Sequence, residues 1–221
     1  SFTAFDFETT GLDSNNDRII EIAAIRFENG EIVDRFVSLV NPGTDIPNLI
    51  TEITGISNSM VYKSPKETEI IDDFLSFLGE SPLVAHNIRF DESFLSRLCL
   101  RHEKEENDFK KYDTLQLARS LLFEQPVFNL TALSDFYGLS SDNAHRAEND
   151  TENTGFIFLE LIKELAGYPL DFISKVNALI QGESIPNLHL YVEMASALAK
   201  KGDLQKGLIK HGIIPNCKTN I

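Results

Sequence analysis

Several things are scarce in this chain, and each scarcity excludes something. There are two cysteines in 221 residues, Cys99 inside a helical apolar-polar pattern and Cys217 near the end. That is too few for a disulfide framework, and no CxxC knuckle exists to hold a structural metal, so the expected setting is reducing and cytoplasmic. No stretch approaches the ~20 apolar residues that a membrane helix needs. The N-terminus lacks the basic region and long apolar core of a signal peptide and reads as a strand instead. Positive charge is also short: 20 Lys and Arg against 34 Asp and Glu, a formal charge of −14. A protein that grips nucleic acid strongly by itself usually presents a net basic face, so tight autonomous binding to a polyanion is not expected. An enzyme whose carboxylates hold metal ions, with a partner or neighbouring domain to deliver its substrate, suits this balance. Ser1 opens the chain without an initiator Met, which points to a piece of something longer.

What is present is apolar residue enough for a sizeable core, 42% of the chain. Residues 2–8 read as a strand, ended by Thr9-Thr10-Gly11. Apolar runs Ile19–Phe27 and Ile32–Val40 flank Glu28-Asn29-Gly30-Glu31, whose Asn-Gly is a hairpin signal. The chain thus opens as a three-strand antiparallel meander. Helix and strand then alternate: a helix over Glu67–Leu78, a short buried strand Leu83–His86, a helix from about Asp91 to Arg101, a strand around Tyr112-Asp113, and helices near Leu115–Leu122, Leu130–Tyr137 and Ala147–Leu165. The pattern predicts an α/β protein with a mixed central sheet, the meander plus parallel strands, flanked by helices. After Gly167-Tyr168-Pro169 the texture changes to helical segments Leu170–Ile180 and Leu188–Lys200, so residues 1–167 are expected to form one domain and 168–221 a helical extension or a linker toward another. Most of the 16 phenylalanines, among them Phe5, Phe7, Phe27, Phe36, Phe74 and Phe77, fall at strand or helix spacing and read as core.

Three segments carry candidate chemistry. On an extended strand, side chains two apart share a face, so Asp6 and Glu8 project together while Phe5 and Phe7 enter the opposite layer. Two carboxylates on one face repel, and a hard divalent cation between them would resolve the conflict. In Leu83-Val84-Ala85-His86-Asn87-Ile88-Arg89-Phe90-Asp91 an apolar strand breaks into a polar turn and then a helix with Asp91 in its first turn, a junction of the kind where α/β sheets place ligands. In His145-Arg146-Ala147-Glu148-Asn149-Asp150, five residues of helix turn through about 500°, so His145 belongs on the loop before the helix and Asp150 in its first turns. A histidine there can serve as a general base. Taken alone, each segment also has a plainer reading: a solvated strand face with two acids, an acid favoured by a helix dipole, an idle loop histidine.

Together, in this order and at this spacing, the three segments strongly resemble the exonuclease motifs of the DEDDh family, over about residues 2–166. The resemblance implies an RNase H-like fold and a 3′→5′ exonuclease that acts on the 3′ end of single-stranded DNA and releases nucleoside 5′-monophosphates. It implies Asp6, Glu8, Asp91 and Asp150 as ligands of two divalent ions, Mg²⁺ or Mn²⁺, and His145 as the base that activates water. Relatives that use tyrosine would carry it at Arg146, so this chain fits the histidine branch. The resemblance further implies that Thr9, Thr10, Gly11 and Leu12 meet the terminal nucleotide, with Leu12 as a wedge against its base. It also implies that His86, Asn87 and Phe94 help hold the last nucleotides and that Ile53-Thr54-Gly55-Ile56 lies near the terminal sugar. This last segment reads equally well as a short helix closed by glycine. A helicase or polymerase, fused or associated, is the expected partner. An RNA-trimming enzyme with the same acids and a strand-binding module without activity are the alternatives that the residues leave open.

Overall fold

The computed structural model describes residues 1–139, 146–180 and 186–210, with the side chains of 203–210 left aside. It contains two compact units, Ser1–Ile162 and Lys163–Ile221. Their division falls inside a helix, a few residues before the Gly167 boundary that composition suggested.

The first unit opens with strands β1 (Phe2–Thr9), β2 (Ile19–Glu28) and β3 (Glu31–Leu39). They pair antiparallel, with Asp6 opposite Ala23 and Glu8 opposite Glu21. Asn29 (φ 53°) and Gly30 (φ 86°) supply the two positive φ angles that a tight turn between β2 and β3 requires. Helices α1 (Asn48–Thr54), α2 (Asn58–Val61) and α3 (Glu67–Leu78) follow. The first two are too short for periodicity to reveal, although Gly55, left-handed at φ 72°, closes α1 as the glycine suggested. Strand β4 (Leu83–Ala85), helix α4 (Ile88–Arg101), strand β5 (Lys111–Asp113), and helices α5 (Thr114–Leu121), α6 (Leu130–Phe136) and α7 (Ala147–Gly167) complete the run. The sheet order is β3-β2-β1-β4-β5, with β4 and β5 parallel to β1. The mixed sheet flanked by helices is the expected architecture.

Alternation along β1 separates two layers. Phe5 and Phe7 join Phe74 of α3 and Phe94, Leu95 and Leu98 of α4 in a core on one face. On the other face Phe2 stacks on Phe27, with ring centroids 4.9 Å apart, and meets Phe158 of α7 edge-on at 5.0 Å. Burying each such ring contributes about 1.5–3 kcal/mol, so α7 is anchored by its apolar stripe to the face that carries Asp6 and Glu8. In the second unit, α8 (Leu170–Ile180) and α9 (Leu188–Lys210) pack on one another, and the ring of Tyr168 stacks on Phe172 at 4.8 Å. Among the described residues no helix is long and apolar enough to cross a membrane.

One glycine lets α7 approach the sheet. A methyl group on Gly155 would run into the ring of Phe27, which is fully buried and held between Phe2 and Phe156. Gly155→Ala gains up to about 1 kcal/mol of helix propensity but overpacks this contact at a cost of about 1–3 kcal/mol. A net fall in Tm is expected by calorimetry; an unchanged or higher Tm would show that the approach is not tight.

Candidate active site

Four acids converge from three parts of the chain. Asp6 and Glu8 stand on β1, half-buried, and Asp150 reaches them from the first turns of α7; one oxygen from each lies within 4.8 Å of the others. Asp91, in the first turn of α4, is fully buried. Its Oδ1 accepts the backbone N–H of Phe7 at 3.1 Å. The reason lies in the sheet. Strand β4 ends at Ala85, so the edge of β1 beyond Ala4 runs past its parallel neighbour, and a carboxylate takes the amide that a longer β4 would have paired.

Burial and mutual repulsion dominate the electrostatics. Loss of water, then Asp150 and Glu21, push the Asp6 carboxyl up to about 8. Loss of water, then Asp6, Asp150 and Glu21, push Glu8 up to about 9, with the Arg146 guanidinium opposing. Burial, then Asp6, hold Asp91 well above the ordinary carboxylate range, against the lowering effect of the Phe7 amide. Crowded, desolvated carboxylates of this kind repel one another in their charged forms, and the donor set, oxygen only and strongly anionic, fits hard divalent ions.

The surrounding turns are built by side chains. Asn87, left-handed (φ 67°, ψ 53°), immediately precedes α4 and lies four residues before Asp91, so the helix starts earlier than the helical pattern suggested. The Asn87 amide donates to Asp113 Oδ1 at 3.1 Å, and the same carboxylate caps α5 through the amides of Leu115 and Gln116. One buried aspartate therefore braces both strand-to-helix junctions. After β1, Thr9 Oγ1 donates to the Gly11 carbonyl at 2.6 Å, and Thr10 Oγ1 donates to Asp17 and accepts the Arg18 amide. A Cβ on Gly11 would lie 2.5 Å from Asp17 Oδ2, so a side chain there would have to displace the Asp17 carboxylate. The turn lifts Leu12 into solvent, 85% exposed.

Other expected contact residues are engaged elsewhere. The Thr54 hydroxyl donates to the Ile50 carbonyl and accepts the Ile56 amide within its own turn. His86 Nδ1 bonds Thr114 Oγ1 at 2.9 Å and the ring also meets the Phe128 backbone; burial lowers it to about 4, so it is neutral near pH 7. Phe94 is wholly inside the core against Phe90, so the ring backs the site and offers no surface. Asn87 and Leu12 remain exposed. His145 lies outside the described residues. Sequence reading passed over Glu21, Asp113 and Asp17; for Glu21 the signal was there, one acid inside the apolar run Ile19-Ile20-Glu21-Ile22-Ala23-Ala24-Ile25.

A family model described as exonuclease, of the RNase T type, matches residues 3–158, and the chain belongs to that family. It is 36% identical over 211 residues to the PolC-type DNA polymerase III of Caldanaerobacter subterraneus subsp. tengcongensis, covering 94% of this chain and 14% of the polymerase. It is likewise 36% identical to the 3′-5′ exonuclease DinG of Bacillus subtilis, covering 81% of this chain and 19% of that protein. The chain thus spans less than a fifth of the length of these relatives. Among solved structures, exonuclease X in complex with 5′-overhanging duplex DNA superposes with a TM-score of 0.60 at 26% identity, over 76% of this chain and 95% of that one. An exonuclease I structure shares the fold, with a TM-score of 0.66 at 22% identity over 79% of this chain and 43% of that one.

The raised carboxyls have a thermodynamic sign. A carboxyl whose folded-state pKa lies above its unfolded value contributes stability that is fully present below the unfolded value and lost as pH climbs through the folded one. For Asp6 and Glu8 that window runs from the ordinary values of 3.8 and 4.5 to about 8 and about 9. In chelator, Asp6→Asn is expected to raise Tm at about pH 8 by a few degrees and to change it less at about pH 5. Thermal melts at both pH values check this, and a lower Tm for the variant at pH 8 would show that the acids are not in conflict.

Proposed function

We propose that the chain is a metal-dependent 3′→5′ exonuclease that hydrolyses phosphodiester bonds at the 3′ end of single-stranded DNA and releases nucleoside 5′-monophosphates. The observation that carries this reading is the meeting of Asp6, Glu8 and Asp150 within 4.8 Å of one another, with Asp91 beside them, in a chain of the exonuclease family. Asp6, Glu8, Asp91 and Asp150 would hold two divalent ions, Mg²⁺ or Mn²⁺. When bound, such ions supply Lewis-acid stabilisation of charge on the phosphate oxygens.

The chain's own residues do the rest. His145 takes a proton from the attacking water, a role for which the imidazole side chain is chemically suited. Leu12 supplies an exposed apolar side chain against which the terminal base can rest, an arrangement that asks for no particular sequence. Gly11 keeps that turn narrow, and Asn87 offers its amide side chain at the start of α4. DNA as substrate is supported by the names of similar proteins, a DNA polymerase and an exonuclease X in complex with duplex DNA. A chain of charge −14 holds a strand through this site and relies on a larger assembly, a polymerase or a helicase, to bring the strand to it, in proofreading or repair.

The test is a 5′-labelled single-stranded DNA oligonucleotide incubated with Mn²⁺ or with chelator and resolved on a denaturing gel. Wild-type protein should give a metal-dependent ladder, and Asp6→Ala or Asp150→Ala should lower the rate by at least ~10³-fold. Activity undiminished in either variant would refute the site, and a strong preference for a matched RNA would refute the substrate. Leu12→Ala should raise KM for the oligonucleotide several-fold with a smaller effect on kcat; an unchanged KM would remove Leu12 from the binding surface.

A further inference from the structure

Glu21 is 1% exposed, on β2, in register with Glu8 and on the same face. An acid placed there adds to the repulsion around Asp6 and Glu8, and apolar packing would serve stability as well or better. Its partners explain its presence. Arg146 donates to it from Nε, at 3.2 Å to each oxygen, and from Nη2 at 2.6 Å, while the amide of Ala147 donates to Oε2 at 2.9 Å. Ala147 is the first residue of α7. The carbonyl of Arg146 in turn accepts the amide of Asp150 at 3.1 Å. A continuous path of hydrogen bonds therefore runs from the strand residue opposite Glu8 to the backbone of the acid that completes the carboxylate cluster.

We propose that Glu21 and Arg146 form a positioning clamp that sets the first turn of α7 against β1 and β2 and so holds Asp150 in reach of Asp6 and Glu8. The clamp rests on the exonuclease reading above. The forked guanidinium reaches both carboxylate oxygens, and Oε2 also accepts the amide at the helix start, a geometry that a lysine cannot copy. Glutamine at Glu21 has one acceptor where two are used.

Arg146→Lys, Glu21→Gln and the double variant decide the matter, with wild type and Asp6→Ala alongside. The single variants should lose on the order of 10²-fold in kcat, the scale of a misplacement of about 1 Å, with KM for the oligonucleotide unchanged. Calorimetric Mn²⁺ affinity should fall by about 10-fold or more. The double variant should be no worse than the poorer single one, since both remove one device. Wild-type kcat and Mn²⁺ affinity in Arg146→Lys, or losses that multiply in the double variant, would overturn the clamp. The Arg146 side chain is 42% exposed, so Arg146→Lys decides the matter alone if Glu21→Gln does not fold. An inactive wild type would instead refute the exonuclease reading, and the Mn²⁺ titration would still judge the clamp.

Discussion

Like charge held at short range in partial burial is the constraint on which the rest of this structure depends. Three carboxylates approach within 4.8 Å and a fourth presses in from α4, where water is too scarce to screen them. Left to local preference, such groups would separate. They stay together because each is fixed to an element whose position is decided by apolar packing elsewhere: β1 by Phe5 and Phe7 beneath it, α4 by Phe94, Leu95 and Leu98, and α7 by Phe158 against Phe2. The hydrophobic layers on both faces of the sheet supply the energy that keeps the acids in conflict, and a cation that relieves the conflict is favoured for the same reason.

The mixed sheet also shapes the site through its interruptions. Because β4 stops at Ala85, β1 has free backbone on one side at the level of the acids, and Phe7 can bond Asp91. Because Asn87 adopts a left-handed turn braced by Asp113, α4 begins early enough for Asp91 to fall in its first turn. Because α7 carries Gly155 where it passes Phe27, the helix can lie close enough for its first turns to reach β1. Each of these three features brings a carboxylate toward the site.

Much of this was legible beforehand. Alternation marked the faces of β1, Asn29-Gly30 marked the hairpin, and 3.6-residue periodicity marked α3, α7 and α8. The same alternation put Asp6 and Glu8 on one face and the phenylalanines on the other, as observed. Less legible were α1 and α2, too short to show a period, and the uses of buried polar groups. Thr54 and His86 resembled ligand residues in their motifs, yet their hydrogen bonds are taken by the backbone and by Thr114. Phe94 sits at a position that its motif associates with substrate, and the depth of α4 in the core encloses it.

The sequence by itself determined which residue types share a strand face or a helix turn, because side-chain direction along β1 or α7 follows from local geometry alone. It therefore specified the acids, their pairing on β1 and the order of the elements. That Asp150, well over a hundred residues away in the chain, joins Asp6 and Glu8 followed from the family resemblance and from no local pattern, and only the tertiary structure decided that Glu21 spends its charge on Arg146 and the start of α7. Those relations depend on how helices settle on a sheet, which is set by the summed packing of two apolar layers, and no local pattern records that sum.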